Sequence, residues 1–136
     1  MFSFIYEHYA RYYEFCEERL KECQENGYLR TAIMKRIRWL GFFPEPTVVY
    51  NFSVQSMIAD LMNLRLIALR PRLPKSARIV FQGHDSALVE TDAGQDARLT
   101  NELIQELWDE PILVPTSGRT MVMPIDRHEG DRLSDF

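Results

Sequence analysis

The chain has 136 residues, 46% of them hydrophobic and 26% charged, and a net charge of −4. That length suits one domain, expected over residues 1–136, and the apolar content excludes a disordered chain. The acidic balance argues against a generic nucleic-acid coat. No apolar run approaches the roughly 20 residues of a membrane helix, and "MFSFIYEHYARYYEF" lacks a signal-peptide pattern, so a cytoplasmic protein with no membrane partner is expected.

The first element is a helix near 3–26. Ile5, Tyr9, Tyr12, Cys16, Leu20 and Cys23 recur at spacings of three and four and form one apolar stripe. Phe2, Tyr6 and Tyr13 fall partly off it, facing either another chain or a wide core. Two helical turns separate Cys16 from Cys23 by about 10 Å, which favours reduced core residues over a disulfide or a zinc pair. Asn26-Gly27 stops the helix, glycine supplying the left-handed cap. A hairpin follows near 28–40 with its turn near Met34, and "GFFPEP" is a proline loop.

The next helix spans 48–69. Ile58, Leu61, Met62, Arg65 and Leu69 keep its 3.6-residue period, and Asn51 and Gln55, four apart, share a face. "RPRLPKS" ends it. Strand, tip and strand follow near 78–91, then a loop and a helix near 94–109 with Leu99, Leu103, Leu107 and Trp108 toward the core. One or two strands lie near 112–124, and the tail is polar loop. Tight turns make the strands antiparallel, and helices on one face of such a sheet give an α+β fold.

Charge is unevenly spread. Residues 1–75 hold 11 Lys/Arg against 8 Asp/Glu, and residues 76–136 hold 5 against 12. "YLRTAIMKRIRW" carries Arg30, Lys35, Arg36 and Arg38 without an acid. Such a patch suits a phosphate backbone; a solvated hairpin accounts for it equally well. His8, His84 and His128 have no metal-ligand spacing, and no phosphate-cradling glycine loop occurs.

At "RIVFQGHDSALVET" an Asp stands at a hairpin tip. Asp85 reads either as a turn former bonding the local backbone or as a hard oxygen ligand for Mg²⁺ on a rigid strand end. Glu90 and Asp92 lie too far along the strand to share one ion with it, so a nuclease built on these three acids has no supporting spacing. Amides such as Asn51 and Gln55 can read base edges or sugar oxygens in a minor groove.

Three segments carry a resemblance. "ENGYLRTAIMKRIRWLG", "VVYNFSVQSMIADLM" and "ARIVFQGHDSALVET" stand in the order and spacing found near the C-terminus of family A DNA polymerases, the bacterial DNA polymerase I type and its phage relatives. The first resembles the family's "GYVxTxxGRRR" hairpin. The second resembles its "AxNxxxQGxxADxxK" helix, and the third its "LQVHDELVxE" palm hairpin, motif C. The resemblance runs from about residue 10 to the end. It implies an antiparallel palm-like sheet, Asp85 as the motif C carboxylate holding Mg²⁺, and His84 near the primer 3′ end. It also implies DNA contacts from Asn51 and Gln55 and places the basic hairpin, Lys35, Arg36 and Arg38, near the backbone. Ser86 replaces the usual Glu, Thr47 an Arg, Met34 the turn glycine and Gly83 a Val.

Neither "DYSxIELR", with the family's other metal-binding aspartate, nor the fingers motif "RxxxKxxxFxxxYG" occurs. Nucleotidyl transfer uses two ions, so one aspartate cannot organise the site. The expectation is therefore the C-terminal portion or small subunit of a split DNA-directed DNA polymerase. It would act on primer–template DNA and deoxynucleoside triphosphate in a bacterial or phage-infected cytoplasm, completed by an upstream chain carrying motif A and the fingers. The chain starts with Met and an aromatic-rich helix, as a separate gene product would. A competing expectation is a catalytically inactive polymerase-derived module that binds DNA or a replication protein. The plainest alternative is an α+β domain with coincidental motifs.

Overall fold

A computed structural model describes residues 9–83, 85–114 and 118–131. The fold is α+β, and its elements follow the expected order: α1 (Ala10–Asn26), β1 (Tyr28–Arg30), β2 (Ile37–Trp39), α2 (Pro46–Leu69), a 3₁₀ turn (Arg70–Arg72), β3 (Arg78–Gln82), β4 (Ala87–Glu90), α3 (Gln95–Asp109), β5 (Ile112–Val114) and β6 (Arg119–Met121). The strands pair as three antiparallel hairpins, β1–β2, β3–β4 and β5–β6, each its own two-stranded sheet. The chain divides into two compact units, Met1–Leu64 and Arg65–Phe136.

In the first unit, α1 buries Cys16 and Cys23, both as thiols. Burial pushes the Cys23 thiol pKa up, Glu22 adding to the effect and Arg19 opposing it. Tyr9 and Tyr12, expected on the same stripe, are exposed; Ile5, Phe2 and Tyr6 lie outside the described residues. Gly27 ends α1 at φ 75°, its N–H donating to Cys23 O at 2.7 Å. A left-handed backbone costs glycine little. The Gly27 carbonyl then accepts from the Leu40 and Gly41 amides at 3.0 and 2.9 Å, which ties the far end of the hairpin to the helix cap. The register pairs Tyr28 with Trp39, Leu29 with Arg38 and Arg30 with Ile37. Cys23, Leu29 and Val49 form the buried cluster, with Leu20, Leu40, Tyr50 and Phe52 packed around it. Tyr50 donates to Glu17 Oε1 at 3.1 Å. Burial first, then the Glu17 carboxylate, pushes its phenol pKa up to about 12.

The hairpin turn holds Lys35 at φ 57°. A side chain there clashes with the following carbonyl at a cost of roughly 1–2 kcal/mol, and glycine avoids it. Lys35→Gly should therefore raise stability by about 0.5–1 kcal/mol, net of glycine's greater unfolded entropy. Urea unfolding of the two proteins checks this; a less stable variant would show that the lysine side chain supports the turn.

In the second unit, Arg65 is buried, its guanidinium donating to the Glu110 backbone carbonyl and lying 3.4 Å from the Glu110 carboxylate. Arg72 pairs with Glu106 at 2.9 Å, and Ser76 Oγ donates to Asp96 Oδ2 at 2.5 Å. Leu107 and Trp108 are buried as expected, while Leu99 is exposed. The β3–β4 ladder shifts register between Ile79 and Phe81, leaving Val80 as a bulge. The last segment forms two strands, Ile112 opposite Met121 and Val114 opposite Arg119.

α2 with its 3₁₀ extension, Pro46–Arg72, is long and apolar enough by length and composition to cross a membrane. A count of uninterrupted apolar residues misses it, because polar residues such as Asn51, Gln55 and Asn63, besides the charged Asp60 and Arg65, break the run while the mean stays high. Core helices pass the same test, and both charged side chains are bonded to protein groups.

Candidate nucleic-acid interface and hairpin-tip carboxylate

The basic hairpin and the amide helix belong to the first unit. α2 starts at Pro46, a residue suited to the first helical position because its missing N–H would be unbonded there. One turn later the 3.6-residue period brings Asn51 and Gln55 onto one face, both exposed. Together with Val48, Phe52 and Arg38 of β2 they line a surface groove. The Arg38 guanidinium stands 5.9 Å from the Phe52 ring centroid, within cation–π range. Three of the expected DNA-binding residues, Arg38, Asn51 and Gln55, therefore share one groove.

Lys35 and Arg36 are also exposed, but their roles differ. Arg36 is committed to Asp60 of α2. Its Nε and Nη2 donate to Asp60 Oδ1 at 3.0 and 2.7 Å. Asp60 Oδ2 accepts the amides of Met34 at 2.8 Å and Ile33 at 3.2 Å, and the Thr31 hydroxyl bonds the same carboxylate. Thr31 Oγ1 in turn accepts the Arg36 amide at 3.0 Å. Asp60 is 0% exposed. Burial alone would raise its pKa; the bonds from Thr31, Met34, Arg36 and Ile33 outweigh that and hold it below the ordinary 3.8.

Asp60 is the residue that reading by periodicity passes over. It lies in "VVYNFSVQSMIADLM", next to the apolar Leu61 and Met62. The signal was present: a carboxylate beside Leu61 and Met62 in an apolar stretch must find donors when buried.

Asp85 lies in the second unit, exposed at the β3–β4 tip. The Gly83 N–H donates to Ser86 O at 2.7 Å and closes the turn around residues 84 and 85. His84 falls outside the described residues. A Cβ on Gly83 would lie 2.6 Å from Ser86 Oγ and 3.2 Å from the Phe81 ring. Glycine at 83 and serine at 86 therefore face each other across the turn, and two departures from the motif C pattern belong to one compact tip. Glu90 sits at the open end of the hairpin, 2.7 Å from Arg78, its register partner. Among the described residues no group of three or more His, Cys, Asp or Glu stands together to hold a metal ion.

No family model matches the chain, and no solved structure matches it significantly. Curated relatives do. The chain is 28% identical over 126 residues to the thermostable DNA polymerase I of Thermus thermophilus, covering 81% of this chain and 14% of that protein. It is 30% identical over 115 residues to the thermostable DNA polymerase I of Thermus aquaticus, covering 73% and 13%. The corresponding protein of Thermus filiformis is 30% identical over 112 residues, again 73% and 13%. By sequence, most of this chain is related to one segment of DNA polymerase I, and it spans only 13–14% of the length of these relatives.

Proposed function

We propose that the chain is the C-terminal palm portion, or small subunit, of a split family A DNA-directed DNA polymerase. It would be inactive alone and completed by a chain carrying motif A and the fingers helix. The observation that carries this reading is the similarity to DNA polymerase I over 73–81% of the chain. A polymerase of that kind acts on primer–template DNA and deoxynucleoside triphosphate, in the cytoplasm of a bacterium or a phage-infected host.

The groove supports the DNA part. Asn51 and Gln55 offer amide donors for minor-groove acceptors, which every base pair presents. Arg38 lines the same groove, Lys35 is exposed on the turn of the same hairpin, and both cations suit the phosphate backbone. Asp85 supplies an exposed carboxylate, the hard oxygen donor that Mg²⁺ prefers. It is one ligand of a site whose remainder would come from the partner chain. Ions held there would supply activation of the primer hydroxyl and stabilisation of the leaving pyrophosphate. This chain's own part is to present Asp85 at a closed turn and to hold the duplex at the groove; the family resemblance implies a role near the primer end for His84.

Primer extension with this chain, with an upstream polymerase fragment carrying motif A and fingers, and with the mixture tests the proposal. Extension is expected from the mixture only. Extension by the isolated chain, or none from a mixture of folded components, would overturn it.

A further inference from the structure

The hairpin is fastened to α2 at two points: Arg36 on the Asp60 carboxylate and Arg38 over the Phe52 ring. The first fastening is the stronger, because the carboxylate is buried and also takes two backbone amides of the turn. Arg30 adds a bond from its guanidinium to Lys35 O at 3.4 Å. A buried carboxylate offsets the Arg36 charge, so Arg36 has little net charge left for a phosphate, whereas Lys35 projects from the clamped turn.

We propose that Asp60 is a positioning residue for DNA contact: it locks the 31–36 turn onto α2, so that Lys35 and Arg38 stand in fixed register with Asn51 and Gln55, and Arg36 serves as its clamp rather than as a phosphate ligand. This rests on the reading of the groove as a DNA surface. It departs from what the family resemblance implies for Arg36, and it assigns a role to two residues that match lettered motif positions but carry no implied role there, Asp60 and Thr31. Thr31 is the relay. It is buried, accepts the Arg36 amide and bonds Asp60.

The test is binding of a short primer–template duplex to the full chain, followed by fluorescence anisotropy across a salt series. Each lost phosphate contact lowers the slope of log K against log salt by about 0.9. Lys35→Ala should lower the slope by about that much. Asp60→Asn should weaken binding by about tenfold and remove the same part of the slope, and adding Lys35→Ala to it should change little more, the signature of coupled residues. Should Asp60→Asn fail to fold, Thr31→Val loosens the same clamp more gently. It should lower the slope in the same sense, and Thr31→Ser, which keeps the hydroxyl, should restore it. Wild-type binding with slopes unchanged in folded Asp60→Asn or Thr31→Val would overturn this inference and leave the DNA reading standing. A wild-type chain with no salt-dependent duplex binding would overturn the DNA reading and this inference together.

Discussion

Asp60→Ala is expected to lower stability by about 3 kcal/mol, the range for breaking a buried, hydrogen-bonded charge pair. The melting temperature should fall by roughly 10 °C for a domain of this size. The loss comes from donors stranded together: the amides of Ile33 and Met34 and the Arg36 guanidinium. Arg36 keeps 49% of its side chain exposed and can return to water, so the amides carry more of the cost than the ion pair. Asp60→Asn should cost less, about 2 kcal/mol, because one acceptor oxygen remains. The wild type should also be acid-sensitive in a way the variants are not. Its carboxyl titrates below the ordinary 3.8 when folded, so its contribution is complete above 3.8 and drains away as pH falls below 3.8 through the lower folded value. Urea unfolding between pH 6 and pH 3 reads both effects. An Asp60→Ala protein within 0.5 kcal/mol of wild type would show that the turn holds without its clamp.

The difference between what sequence pattern reveals and what it hides runs along the same line. Gly27, the prolines of "GFFPEP" and "RPRLPKS", and the helical spacing of Cys16 and Cys23 or Leu107 and Trp108 are local signals, and the elements fall where those signals put them. Asn51 and Gln55 share a face because helix geometry requires it, and Arg38 joins them because the hairpin folds back on α2. Periodicity has less to say about which end of a stripe stays buried. Tyr9 and Tyr12 continue the stripe of Cys16 and are exposed. The clamp was harder still. Asp60 and Met34 are separated by 26 residues, and a single aspartate in a helix reads by default as a surface charge. The left-handed backbone at Lys35 is equally silent, because lysine gives no turn signal and glycine would.

The β3–β4 tip returns a sharper form of the choice at Asp85. A turn former works by bonding its own backbone, so Asp85→Ala would then lower stability by about 1 kcal/mol and Asp85→Asn, which keeps the bonding pattern, would be neutral. A metal ligand behaves in the opposite way. The turn is already closed by Gly83 N–H to Ser86 O, and the carboxylate is exposed, so Asp85→Ala should leave stability within about 0.5 kcal/mol of wild type. In the mixture with the upstream fragment, both Asp85→Ala and Asp85→Asn should lower primer extension on the order of a thousandfold, a loss of several kcal/mol of transition-state stabilisation. Duplex binding by the groove should be unchanged, since its residues lie on other elements. Extension at the wild-type rate by the folded Asp85→Ala mixture would remove Asp85 from the chemistry. Were the mixture itself inert while duplex binding persisted, the chain would stand as a catalytically inactive DNA-binding module. The Asn variant carries the most information, because it preserves shape and turn bonding and removes only the negative charge that a divalent ion requires.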